Sequence, residues 1–318
     1  MPSSHKIPAS QPAPAHKNRP ISQQELTPLR PIPVIAANAV HVLKVAAWDK
    51  PGSPISSWLW HGFSTRIGGL SRVYCADDAP GELNLGFTAS DDREIVAGNR
   101  RLLVQAVTGN PETPLIPLRQ IHSSEVFVAS ASDALRPAPC EGDGLLTDEP
   151  GLLLGVQTAD CIPVLVADQK RRVVAAFHAG WRGTVKRIVE SGIGRMSVEF
   201  GSRPEDLIAA IGPGIGPCCY AVGEEVLSSF ESQFPYGRDL FREVSEPPSA
   251  DRHAVPSLHV DLVEANRRQL LAAGLKPRAI AVTGGCTSCM PDLFFSHRGS
   301  HGHAGRMMSV IGIRAEAN

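Results

Sequence analysis

The sequence predicts a mixed strand-and-helix fold rather than a regularly wound α/β sheet. Short apolar runs suited to strands greatly outnumber the longer segments with a helical period, and the two kinds follow one another in no fixed alternation. A hydrophobic fraction of 42% over 318 residues is enough to bury a substantial core.

Taken in order, residues 1 to about 35 concentrate Pro, Ser, Gln and Ala (QPAPAHKNRPISQQELTPLRPIP). Such a composition cannot bury enough apolar surface to offset its ordering entropy. The expectation is a disordered Pro-rich tail over 1–40 and one domain over 41–318. The tail is basic enough to resemble a mitochondrial presequence but has no apolar helical face. Strands are expected at Trp58 to Thr65, Val126 to Ser130, Leu152 to Gln157, Pro163 to Ala167, Val173 to His178 and Leu207 to Ile211. More are expected at His259 to Asp261, Ala279 to Val282, Leu293 to Ser296 and Ser309 to Arg314. Helices are expected at Asp91 to Val107, stopped by Gly109-Asn110-Pro111, and at Thr184 to Glu199, Gly223 to Phe234 and Leu262 to Ala273, with Gly274 at the C′ position. Asp239 to Pro256 is polar and reads as a surface loop, as does the His-, Gly- and Arg-rich stretch from His297 to Arg306.

Charge and composition exclude several classes. A net charge of −1 and 5% aromatic residues argue against nucleic acid as a partner. The apolar runs are far shorter than a bilayer span, so no membrane partner is expected, and no apolar signal-peptide core is evident. Seven cysteines, an odd number, fit reduced thiols and a cytoplasmic setting better than a disulfide framework.

The densest chemistry lies in GLLLGVQTADCIPVLVADQKRRVVAAFHAGWRGTV, residues 151–185. One apolar run ends in Thr158-Ala159-Asp160-Cys161, and a second ends at His178 before Ala179-Gly180. Strand ends on a rigid scaffold are where polar groups are aimed. His122, ahead of another strand-like run, adds a second imidazole. Cys161 with His122 and His178 makes a candidate Zn²⁺ site with one position open, although the spacings match no local zinc-binding pattern and leave ordinary packing equally open. Arg66 and Arg182, beside flexible glycine-bearing turns, are candidate clamps for phosphate, and Asn84 is a candidate site amide. Asp160, next to Cys161, is a candidate to orient the cluster or shuttle a proton. Gly212 to Tyr220 reads as a tight loop shaping a pocket wall. Cys286-Thr287-Ser288-Cys289 is a single CxxC with no second CxxC for a four-thiolate site, which favours packing for it and for Cys218-Cys219.

These residues together resemble the YfiH family, the laccase-domain or multicopper-polyphenol-oxidase-like proteins, also termed a family of purine nucleoside phosphorylases. The resemblance runs through His61 to Gly69, Leu83 to Gly86, Gln120-Ile121-His122, Gly142 to Leu145, Thr158 to Cys161, His178 to Gly183, Ile211 to Tyr220 and Phe295 to Arg298 with Gly305-Arg306. It implies an α+β fold, mixed β-sheets flanked by helices, distantly like cysteine-hydrolase toxins. It implies zinc held by His122, Cys161 and His178, which would also be the catalytic residues. It further implies phosphorolysis of adenosine, inosine and methylthioadenosine, with deamination of adenosine. Two other activities attach to the resemblance. One is amide hydrolysis in peptidoglycan editing, with Cys161 as nucleophile. The other is copper-dependent polyphenol oxidation, for which a single His₂Cys set falls short of a multicopper cluster, leaving copper only as an alternative ion.

Overall fold

The computed structural model describes residues 21–22, 31–136, 138–245 and 257–315. The fold is α+β, as expected. Two six-stranded mixed sheets carry it. The first runs, edge to edge, through Val34–Ile35, His41–Leu43, Leu59–Ser64, Met307–Ile313, Leu153–Thr158 and Leu115–Pro117. The second runs through Ile280–Val282, Leu207–Ile211, Ile162–Asp168, Val173–Ala179, Gly144–Thr147 and Val126–Val128.

The sheets stack face to face because the central strands are apolar on both sides. Along Ile162–Asp168, Leu165 and Ala167 face the other sheet, where they meet Leu154, Val156 and Ile311. Val164 and Val166 point the opposite way, into a core closed by helices Ile188–Phe200, Glu224–Gln233 and Leu262–Ala272. The outer face of the first sheet is covered in the same manner by helix Arg93–Thr108 through Leu103, Val104 and Val107. A period of two on strands buried on both faces thus gives four layers, helix, sheet, sheet, helix.

Local chemistry sets the ends of some helices. Asp92 caps Arg93–Thr108 by accepting from the Glu94 and Ile95 amides, and Gly109 ends it in the left-handed region at φ 83°. Gly274 follows the last helix at φ 96°.

The structure departs from expectation in four places. The expected helix Thr184 to Glu199 is broken into Trp181–Val185 and Ile188–Phe200, because Arg187 adopts φ 61° and its guanidinium is bound to Glu190 and the Gln233 carbonyl. Leu293 to Ser296 forms no strand. Leu293, Phe294 and Phe295 are all buried, so they fill the space between the sheets instead of alternating across one. Phe241–Ser245, read as loop, is a strand paired with Ser257–Val260, and residues 246–256 of that expected loop lie outside the described residues. Most of the expected tail also lies outside them. Its described part contains the strand Val34–Ile35, paired with His41–Val42, and the fully buried Val40, so the sheet extends upstream of the boundary at residue 41. Among the described residues no helix is long and apolar enough to cross a membrane.

Candidate active site

The chain passes from the first sheet to the second between Thr158 and Ile162, and Cys161 sits at that crossover. Asp160 takes φ 91°, an unfavourable conformation for a residue with a Cβ. It is held there by two hydrogen bonds: its carboxylate accepts from Thr287 Oγ1 at 2.6 Å and from the Arg298 amide at 2.7 Å. His178 lies beside the crossover, on the strand that pairs Ala179 with Ile162. His122 arrives on a loop at φ 56°. The ligand atoms of His122, Cys161 and His178 all lie within 4.8 Å of one another, with Cys161 Sγ 3.8 Å from His122 Nε2. Gly180 leaves room for this cluster. A Cβ there would lie 2.9 Å from both Cys161 Sγ and His122 Cδ2.

Asp143 organises the cluster. Its carboxylate accepts from His178 Nδ1 at 2.8 Å, from the His122 amide at 3.1 Å, and from the Ser123 amide and hydroxyl at 2.6 and 2.7 Å. Asp143 is completely buried. Burial pushes its carboxyl up, but the bonds from His178 and Ser123 outweigh that and hold it down at about 2. With Nδ1 committed to Asp143, His178 presents Nε2 to the cluster, which is the tautomer that metal ligation requires. Two imidazole nitrogens and a sulfur converging at this spacing suit a four-coordinate ion with one position left for water or substrate.

The charges favour ligation too. Burial opposes a thiolate at Cys161, yet the charge on His178 and the hydrogen bond from His122 prevail and bring the thiol down to about 6. Burial likewise opposes charge on His178, but Cys161 and Asp143 raise it to about 9. Between neutrality and about pH 9 the ion-free cluster therefore holds a thiolate and an imidazolium, and a metal must displace the His178 proton. Metal affinity should rise about tenfold per pH unit across that window and level off above it. Titrating ion-free protein with Zn²⁺ at several pH values measures the slope. A flat profile would mean that His178 is already neutral or does not ligate.

The cluster opens into a cavity of about 730 Å³. Its lining includes Arg93, Arg100, Arg119, Arg182, Arg298 and Arg306, with Asp160 as the sole carboxylate among the described residues. Arg119 is paired with Glu141, whereas the other five have no carboxylate partner among the described residues. Burial and neighbouring Arg93 lower Arg100 to about 10, which still leaves it charged at neutral pH. Phe87, Trp181 and Tyr220 supply aromatic surface, and Arg93 and Arg100 lie 4.5 and 4.3 Å from the Phe87 ring centre. Such a wall attracts an anion and a flat heterocycle together.

Of the expected site residues, the structure gathers His122, Cys161, His178, Asp160 and Arg182 around one cavity. Asp160 braces the wall instead of touching the cluster, and the orienting role falls to Asp143. Asn84 is completely buried; it accepts from the Arg306 amide at 2.9 Å and so positions a lining residue from behind. Arg66 does not line the cavity. It is paired with Glu82 at 2.6 Å and donates to the Tyr74 and Pro291 carbonyls. This corrects its reading as a phosphate clamp. Arg66→Lys should instead cost about 1–2 kcal/mol of stability, read as a few degrees in Tm, and leave KM for substrates unchanged. A selective rise in one KM would return Arg66 to the site.

Fold and site define a protein with a His₂Cys cluster at the foot of an arginine-lined cavity, placed where the chain changes sheets. The chain belongs to the family described as multi-copper polyphenol oxidoreductase laccase, the YfiH family, whose model matches residues 60–314. It is 36% identical to purine nucleoside phosphorylase YlmD of Geobacillus stearothermophilus, over 85% of this chain and 95% of that protein. Adenosine deaminase RL5, from an unknown prokaryotic organism, is 35% identical over 72% of this chain and 86% of its own length. Among solved structures, YlmD from Geobacillus stearothermophilus matches with a TM-score of 0.73 at 33% identity, covering 90% of this chain and all of that one. The Bacillus licheniformis protein YfiH matches with a TM-score of 0.71 at 30% identity, covering 88% and 97%.

Proposed function

We propose that this protein is a zinc-dependent purine nucleoside phosphorylase, converting adenosine, inosine or methylthioadenosine and phosphate to the free base and the pentose 1-phosphate, with an adenosine deaminase activity at the same site. The observation that carries this reading is the His₂Cys cluster facing an arginine-rich wall within one cavity. Relatives named for each of the two reactions support it.

A zinc ion held by His122, Cys161 and His178 supplies Lewis acidity at neutral pH. The chain's own groups do the rest. Asp143 fixes the tautomer of His178 and the backbone at His122. Arg182, Arg298 and Arg306 draw phosphate in and neutralise it. In phosphorolysis a phosphate oxygen bonds to the anomeric carbon while the bond from that carbon to the base nitrogen breaks, and the base leaves with the electron pair. Burial pushes the Tyr220 hydroxyl up to about 12, so it stays protonated, and it lines the same cavity as a donor for the departing base. In deamination water adds at C6 of the purine and ammonia leaves, and no phosphate takes part.

Arg182 separates the two reactions. Arg182→Ala should raise KM for phosphate by about tenfold or more and change adenosine deamination without phosphate much less. Equal losses would place Arg182 against the nucleoside.

One observation favours a second reading, a cysteine hydrolase acting on an amide. Cys161, His178 and Asp143 stand in the order nucleophile, base and orienting carboxylate, with the thiol at about 6. A metal-bound Cys161 cannot also attack a carbonyl. Chromatography of products from adenosine and phosphate, together with metal analysis of the same sample, separates the readings. Base and ribose 1-phosphate from zinc-loaded protein support phosphorolysis, whereas no base release even from zinc-loaded protein favours the hydrolase. The metal lost on Cys161→Ala substitution, read by the same analysis, distinguishes zinc from copper in the three donors.

A further inference from the structure

We propose that Cys218, Cys219, Cys286 and Cys289 form a second, structural metal site that binds one Zn²⁺ through four thiolates and ties together two loops behind the cavity wall. This site stands independently of how the cavity is read.

Spacing along the chain favoured packing for these cysteines, because the CxxC has no second CxxC. Folding supplies the missing pair from Cys218-Cys219, about 70 residues away. All four sulfurs lie within 4.8 Å of one another. Cys289 Sγ is 3.4 Å from Cys218 Sγ and 3.3 Å from Cys219 Sγ. A tetrahedral zinc with bonds of about 2.3 Å holds its sulfurs about 3.8 Å apart, so the quartet is near the required size before any ion enters. A multi-iron cluster spreads its thiolates over several metal atoms and needs a wider span.

Apolar packing and a disulfide both fit the quartet less well. Cysteines acting as small hydrophobes pack against carbon, yet here sulfur faces sulfur, and Ile215 and Tyr220 are the apolar side chains grouped with them. Cys289 is nearly equidistant from two partners, which suits shared ligation better than one disulfide. The Gly216 amide donates to Cys286 Sγ at 3.2 Å, an arrangement that stabilises a thiolate more than a thiol. Gly216 runs so close that a Cβ there would lie 3.2 Å from Cys218 Sγ.

The position of the quartet gives it a purpose. Its two loops follow the paired strands Leu207–Ile211 and Ile280–Val282 and already touch, through the Thr287 amide and the Gly214 carbonyl at 3.0 Å. Thr287, between Cys286 and Cys289, holds the carboxylate of Asp160 beside Cys161. Tyr220 of the cavity wall directly follows Cys219. A closed four-thiolate site would fix both.

The test uses full-length His122→Ala/Cys161→Ser protein, in which the other cluster is disabled. It should retain about one zinc per chain, and X-ray absorption should show four sulfurs at about 2.3 Å. Adding Cys286→Ser and Cys289→Ser should remove that zinc and lower Tm. If that variant does not fold, the absorption spectrum of the parent still decides. Zinc-free parent protein with all four thiols open to alkylation, or a mass showing disulfides among them, would overturn the proposal.

Discussion

Cys161→Ala should lower the rate of base release from adenosine and phosphate by about 10³-fold or more, on the order of 4 kcal/mol of transition-state stabilisation. The same protein should lose the ion of the His₂Cys cluster. Cys161 is the cluster's sole thiolate donor, and the strand crossover gives it no freedom to be replaced by a neighbour. Without it, two imidazoles remain, too few to retain zinc firmly. Kinetics and metal content measured on one preparation check the result. Full metal content would remove Cys161 as a ligand, and metal loss with an unchanged rate would show that the reaction does not need the ion.

Asp143→Asn should weaken metal binding by about 10–100-fold and slow turnover to a similar extent. The substitution keeps the shape but offers one acceptor where the carboxylate serves His178, the His122 amide and Ser123. If the new NH₂ group faces His178 Nδ1, the ring proton moves to Nε2 and the lone pair meant for the metal is lost. Asp143→Ala should be worse, because it leaves buried donors unpaired at about 1–3 kcal/mol each. Zinc titration and calorimetry on both variants test this ordering. Wild-type affinity and Tm in Asp143→Asn would show that the cluster is oriented by other means.

The Asp143 case shows why the site was only partly legible. His122, Cys161 and His178 stand out in the chain because each lies at the end of an apolar run or before one, and such ends deliver polar groups. Asp143 also stands at the start of a strand, but Gly144–Thr147 is only four residues long and has no period to recognise. It is also 35 residues from the histidine it orients. Asp160 looked better placed by adjacency. The positive φ of Asp160 at the crossover, however, turns its carboxylate to Thr287 and the Arg298 amide instead of the cluster.

Arg66 and the cysteine quartet make the same point from opposite directions. Arg66 had every local mark of an anion clamp, but the fold placed Glu82 against it. Cys286 and Cys289 lacked a partner pair by spacing, but the fold brought Cys218 and Cys219 to them.

The sequence by itself determined the α+β character, the core strands and the helix stops at Gly109 and Gly274, and it singled out His122, Cys161 and His178, which the fold brings together. Periodicity, capping and turn chemistry act within a few residues, so they are written locally. Tertiary structure alone decided the pairing of the two sheets, the break at Arg187, the hub at Asp143, the arginine-lined cavity and the sulfur quartet. Each of these depends on which distant strands align, and that is set by burial of apolar faces over the whole chain rather than by any short stretch of it.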